Sequence, residues 1–112
     1  MAKAVVNHVH RINPDIRIIG AALPTALGSK VGTHGTPEQD AKRKALNDFI
    51  RNSGVFDGVL DFDAVTLNPA NGQMKAEFVL GSTIGGPGDN LHPNRAGYLR
   101  MAESVDFSVV LP

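Results

Sequence analysis

The sequence predicts an α/β fold with parallel strands. Three observations carry that expectation: a well-signalled amphipathic helix over 36–54, an apolar, β-branched run on each side of it at 16–23 and 55–62, and a further helical pattern ahead of the first run. Two strands joined through a helix lie parallel, with a right-handed crossover. At 112 residues the chain makes a single domain, 1–112, since that length is in principle enough to bury a core.

Taken in order, Val5, Val6, Val9 and Ile12 recur at helical spacing, and Asn13-Pro14-Asp15 ends the pattern, because a residue before proline is pushed out of the α region. Ile16 to Leu23 is nearly continuously apolar and closed by Pro24, as expected of a strand buried on both faces of a parallel sheet. Pro24 to Gly35 is rich in Gly, Thr, Ser and Pro, a surface loop leaving the C-terminal end of that strand, where open α/β sheets build their sites. Thr36-Pro37-Glu38-Gln39 supplies an N-cap, a proline at the first helical position and a glutamine placed for a capping box. Ala41, Ala45, Leu46, Phe49 and Ile50 form the apolar stripe of that helix, Lys42, Arg43, Lys44, Asp48 and Arg51 face away, and Asn52-Ser53-Gly54 stops it. Val55 to Phe62 is the second strand. Pro69-Ala70-Asn71-Gly72 reads as a turn within a long irregular excursion. A last helix runs from about Asn94 to Val105, with Tyr98, Met101, Ala102 and Val105 on one side.

Bulk properties narrow the function. Eleven basic and eleven acidic side chains cancel, so no net field draws nucleic acid or an anionic membrane. The absence of cysteine rules out disulfides, a thiol nucleophile and a thiolate zinc site. No apolar run approaches the roughly 18 residues of a membrane span, and the first residues lack the pattern of a signal peptide. No cofactor or metal site is expected. His8 and His10 stand about 200° apart on a helix and do not converge on a metal, so they read as solvated. Asp57, Asp61 and Asp63 lack calcium-loop spacing and read as strand-end caps. The glycine run at 81–88 has no phosphate-binding Gly-Lys-Ser/Thr ending and reads as a flexible loop. Asn47 is most simply a helix residue facing a neighbouring loop, and Lys42-Arg43-Lys44 a solvated helix face.

The chemistry concentrates at Gly88-Asp89-Asn90-Leu91-His92-Pro93-Asn94-Arg95-Ala96-Gly97-Tyr98. An acid and an imidazole three positions apart around a turn point into one cleft, and Pro93 with the following helix stiffens the exit. An imidazole takes the proton of a serine hydroxyl, and an acid on the other ring nitrogen fixes the tautomer.

That stretch, together with Arg43 to Asn47, Phe49-Ile50-Arg51 and Phe56-Asp57-Gly58-Val59-Leu60-Asp61-Phe62-Asp63-Ala64, resembles the C-terminal half of SGNH (GDSL-type) esterases. The likeness spans most of residues 1–108, in the family's order, and Asp-x-x-His-Pro is its specific part. The resemblance implies a flavodoxin-like three-layer α/β/α sandwich and hydrolysis of ester bonds in lipids, acetylated sugars or similar substrates. It makes His92 the general base and Asp89 its orienting acid.

The family's Gly-Asp-Ser nucleophile block and its oxyanion blocks have no counterpart here: Ser29, Ser53, Ser82, Ser104 and Ser108 match none. About three βα units of roughly 30 residues each are expected to be missing ahead of Met1, so 1–112 is read as a partial domain. Two strands of a five-stranded sheet leave an open edge, and partial order or self-association is expected. The isolated chain is expected to be inactive, with an ester substrate only once a nucleophile segment completes it; the alternative is a noncatalytic interaction module on the same scaffold.

Overall fold

The computed structural model describes residues 1–82 and 86–111. Residues 83–85, within the expected glycine-rich loop, and residue 112 lie outside the described residues. α1 (Ala2–Ile12) precedes β1 (Ile19–Ala22), and α2 (Pro37–Asn52) leads to β2 (Gly58–Asp61). α3 (Phe62–Thr66), a 3₁₀ turn at Ala76–Phe78, α4 (Arg95–Glu103) and α5 (Phe107–Val110) follow. β1 and β2 pair in parallel, from Ile19 opposite Gly58 to Ala22 opposite Asp61. The fold is thus mixed α/β, with a two-stranded parallel sheet and five helices among the described residues.

Local signals explain the boundaries. Asn13, ahead of Pro14, is extended at φ −150° and ψ 108°, which ends α1. The Thr36 hydroxyl accepts from the Gln39 N–H at 3.3 Å with Pro37 opening α2, and Gly54 beyond its end has φ +70°, the left-handed stop the sequence called for. Gly72 closes the expected 69–72 turn at φ +74°, and Leu67 and Met74 bridge across it. The strands are shorter than their apolar runs. Phe62 leaves the second run because the Asp61 carboxylate accepts from the Ala64 N–H at 3.1 Å and caps α3.

The buried face of α2 differs from the expected apolar stripe. Asp40, Asn47 and Ile50 are buried, whereas Leu46 and Phe49 are 45% and 39% exposed. Asn47 faces the loop after β1, as expected, and is buried against it: its amide accepts from the Leu23 N–H at 2.8 Å and donates to the Leu23 C=O at 2.9 Å. Strand pairing stops at Ala22, so these two bonds satisfy a main chain that no strand reaches. Arg43, by contrast, is not the solvated cation expected. It donates to Asp40 at 2.8 Å, to Asp63 at 2.7 Å and to the Leu23 C=O at 2.9 Å. Arg51 continues the network with a two-pronged pair to Asp61 at 2.7 and 2.8 Å and a bond to Asp63 at 3.0 Å. Burial pushes the Asp40 carboxyl up, but bonds from Lys44 and Arg43 outweigh it and hold the group below its usual value.

Other side chains also depart from expectation. His10 is partnered, not merely solvated: its Nε2 lies 2.8 Å from Asp57, whose carboxylate also accepts from the Ile18 N–H at 2.7 Å. Asp57, Asp61 and Asp63 therefore act chiefly as ion-pair and main-chain acceptors. Tyr98 on α4 is exposed, and Gly97 makes the close approach instead. A β-carbon on Gly97 would lie 2.9 Å from Pro93 Cβ and 3.1 Å from the Phe78 carbonyl oxygen. α5 was not anticipated; Arg17 ties it to the start of β2 by donating to the Val109 C=O at 2.7 Å and the Asp57 C=O at 3.1 Å.

β1 is not covered on both faces as expected. Gly20 and Ala22 are buried, Gly20 against Phe56 and Ile50, while Ala21 and Leu23 are exposed. Successive side chains point to opposite faces of a strand, so the face carrying Gly20 and Ala22 is covered while the one carrying Ala21 and Leu23 is open. The solvent-accessible surface is 6973 Å² for 11.9 kDa, against about 6,000 Å² for a compact monomer of that mass. The excess of about 1,000 Å² is comparable with one partner's share of a stable interface, about 800 Å². No helix among the described residues is long and apolar enough to cross a membrane.

Candidate active site

Asp89 and His92 lie on the turn between the 3₁₀ segment and α4, and the structure brings them together. His92 Nδ1 is 2.6 Å from Asp89 Oδ2. The second oxygen, Oδ1, accepts from the main-chain N–H of Leu91 at 3.0 Å and of His92 at 2.9 Å. Asp89 is 1% exposed, whereas the His92 side chain is 49% exposed. The His92 main-chain N–H, followed by its ring, holds the Asp89 carboxyl down at about 2.

The tautomer follows from this arrangement. An ionised carboxylate only accepts, so Nδ1 carries the proton towards Asp89. In the neutral ring Nε2 then holds the lone pair, and it has no hydrogen-bond partner among the described residues. The exposed nitrogen is the basic one, with a buried anion behind it to stabilise the imidazolium that forms on proton uptake.

Three supports hold the turn. Gly88, at φ +77°, runs so close to Val79 that a β-carbon would strike the Val79 carbonyl oxygen. Asn90, at φ +57°, is the one non-glycine residue in the left-handed region among the described residues, and asparagine tolerates it better than most. Its amide donates to Gln73 Oε1 at 3.3 Å and approaches the Gly28 C=O at 3.5 Å. The Lys30 N–H donates to the Asp89 C=O at 3.1 Å, so the loop after β1 does border the site. On the far side Asn94 caps α4 by accepting from the Gly97 N–H at 2.9 Å, and its Nδ2 donates to the Glu77 and Leu80 carbonyls, both at 2.8 Å. Sequence reasoning missed Gln73, Asn90 and this second role of Asn94. A Gly-Asp-Asn run ahead of the histidine was the available signal for Asn90 alone.

No serine hydroxyl partners the imidazole among the described residues. Ser29 and Ser53 accept from nearby main-chain N–H groups, Ser104 donates to the Met101 C=O, and Ser108 donates to Asp106. Ser82 Oγ is buried beside Gly88 and has no partner among the described residues. None of these hydroxyls is hydrogen-bonded to His92 among the described residues. Nor do three or more His, Asp or Glu side chains there converge as a metal site. No protein-family model matches the chain, and no curated protein matches it.

Proposed function

We propose that this chain supplies the general base, His92, and the orienting acid, Asp89, of a serine esterase of the SGNH type. The nucleophile and oxyanion donors come from a separate segment packed along the open side of β1. The observation that carries this reading is the bond from His92 Nδ1 to a buried, fully hydrogen-bonded Asp89, which leaves Nε2 outward. The parallel β1–β2 pair joined through α2 fits one end of a flavodoxin-like three-layer α/β/α sandwich. The excess surface fits a missing neighbour.

In the completed enzyme, His92 Nε2 takes the proton from the serine as its oxygen attacks the ester carbonyl, and returns it to the departing alkoxide. Water repeats the sequence on the acyl-enzyme. The test is turnover of a short-chain aryl ester: His92→Ala abolishes it, and Asp89→Asn lowers it by about three to four orders of magnitude. Unchanged rates in both variants sink the assignment. A second reading, a noncatalytic interaction module, draws on the same exposed surface. Fluorophosphonate labelling of the completed assembly separates the two, since only the esterase carries an activated serine.

A further inference from the structure

We propose that the cavity beside the dyad turn is a subsite for a neutral, hydroxyl-rich ring, the alcohol side of the ester. The cavity holds about 290 Å³, at the small end of ligand pockets and enough for one ring. Asn68, Asn71, Gln73 and Asn90 place four carboxamides on its wall, while Met74 and Val79 form an apolar floor. Met74 and Val79 belong to the buried core with Phe78.

The amides are only half used. Asn68 and Asn71 spend their oxygens on the turn, accepting from the N–H groups of Ala70 and Gln73, and the Asn90–Gln73 bond uses one atom of each. The remaining amide nitrogens of Asn68, Asn71 and Gln73 and the oxygen of Asn90 have no partner among the described residues. Uncharged donors and an acceptor over an apolar floor match a ring with C–H faces and equatorial hydroxyls. Glu77, the one charged side chain on the wall among the described residues, accepts from a hydroxyl and repels a carboxylate ligand. Asn90, on the cavity wall, belongs to the same turn as Asp89 and His92, so the cavity adjoins the turn that carries the base.

The link to an ester rests on the esterase reading; binding of the ring does not. The probe is methyl β-D-glucopyranoside, titrated into the isotopically labelled full chain, with cyclohexylmethanol and butyrate as apolar and anionic controls. The glucoside shifts the amide signals of residues 68–79 and Asn90 saturably, and the controls do not. Gln73→Leu weakens it about five- to tenfold, the loss expected for one or two neutral hydrogen bonds. Glu77→Ala, at an exposed position whose side chain makes no hydrogen bond or ion pair among the described residues, weakens it about threefold. Absence of saturable shifts, or equal binding of either control, overturns the proposal. If His92→Ala kills turnover yet the glucoside does not bind, the subsite falls and the esterase stands. If the glucoside binds while His92→Ala leaves turnover intact, the esterase falls and the subsite stands.

Discussion

Replacing Asn94 separates two jobs performed by one side chain. Its oxygen caps α4 through the Gly97 N–H, and its nitrogen ties the cap to the Glu77 and Leu80 carbonyls. Loss of a good N-cap costs about 1 kcal/mol, and each neutral hydrogen bond about 0.5–1.5 kcal/mol. Asn94→Ala therefore costs about 2–4 kcal/mol. Asn94→Ser keeps the cap and loses only the two donors, at about 1–3 kcal/mol. Asn94→Asp also keeps the cap, but sets a carboxylate oxygen against two carbonyl oxygens and is at least as damaging as serine. Urea unfolding at fixed protein concentration, followed by circular dichroism, measures the series. Histidine ring signals of folded protein report whether His92 keeps its bond to Asp89. If alanine costs less than about 0.5 kcal/mol, or aspartate matches wild type, the two-job account is wrong.

Further outcomes follow from other contacts. Arg43→Met destabilises by about 3 kcal/mol, because it strips a cation from buried Asp40 and Asp63, and Arg43→Lys recovers little since its ammonium lacks the fork; thermal unfolding of both checks this. Gly88→Ala costs more than about 2 kcal/mol, as it adds left-handed strain and a clash with the Val79 carbonyl, and lost dispersion in an amide spectrum around 88–94 would reveal it. The Asp89 carboxyl is lowered to about 2 in the folded chain against about 3.9 unfolded. Its stabilisation is thus complete above about pH 4 and fades as pH falls towards 2. The stability gap between wild type and Asp89→Asn should close over that window in acid titration. Leu46→Glu with Phe49→Lys, on the exposed stripe of α2, reduces self-association in light scattering, and unchanged mass would remove that stripe from the contact.

Signals that act over a few residues were readable in the chain. The Thr36-Pro37 start, the Gly54 stop, the 69–72 turn and the Asp89–His92 pair all depend on neighbours within four positions. Arg43 was misread because a charged residue on a helix looks solvated until its partners are known, and two of those, Leu23 and Asp63, lie 20 positions away. The apolar stripe through Leu46 and Phe49 was real in periodicity yet meets solvent. Periodicity identifies a face that seeks cover without saying what covers it. His10 was missed for the same reason as Arg43, with Asp57 47 positions distant.

The two oxygens of Asp89 are satisfied within its own turn, by Leu91 and His92. Closing a loop of three residues fixes few dihedrals and needs no sheet, whereas the contact from Lys30 to the Asp89 carbonyl must bring distant segments together and bears the larger loop-closure entropy. The acid and base can therefore find each other early in folding, before the turn finds its position. Chemistry and placement are assembled on separate clocks. A substitution that loosens the 24–35 loop should leave the Asp89–His92 bond formed and move the pair as a unit.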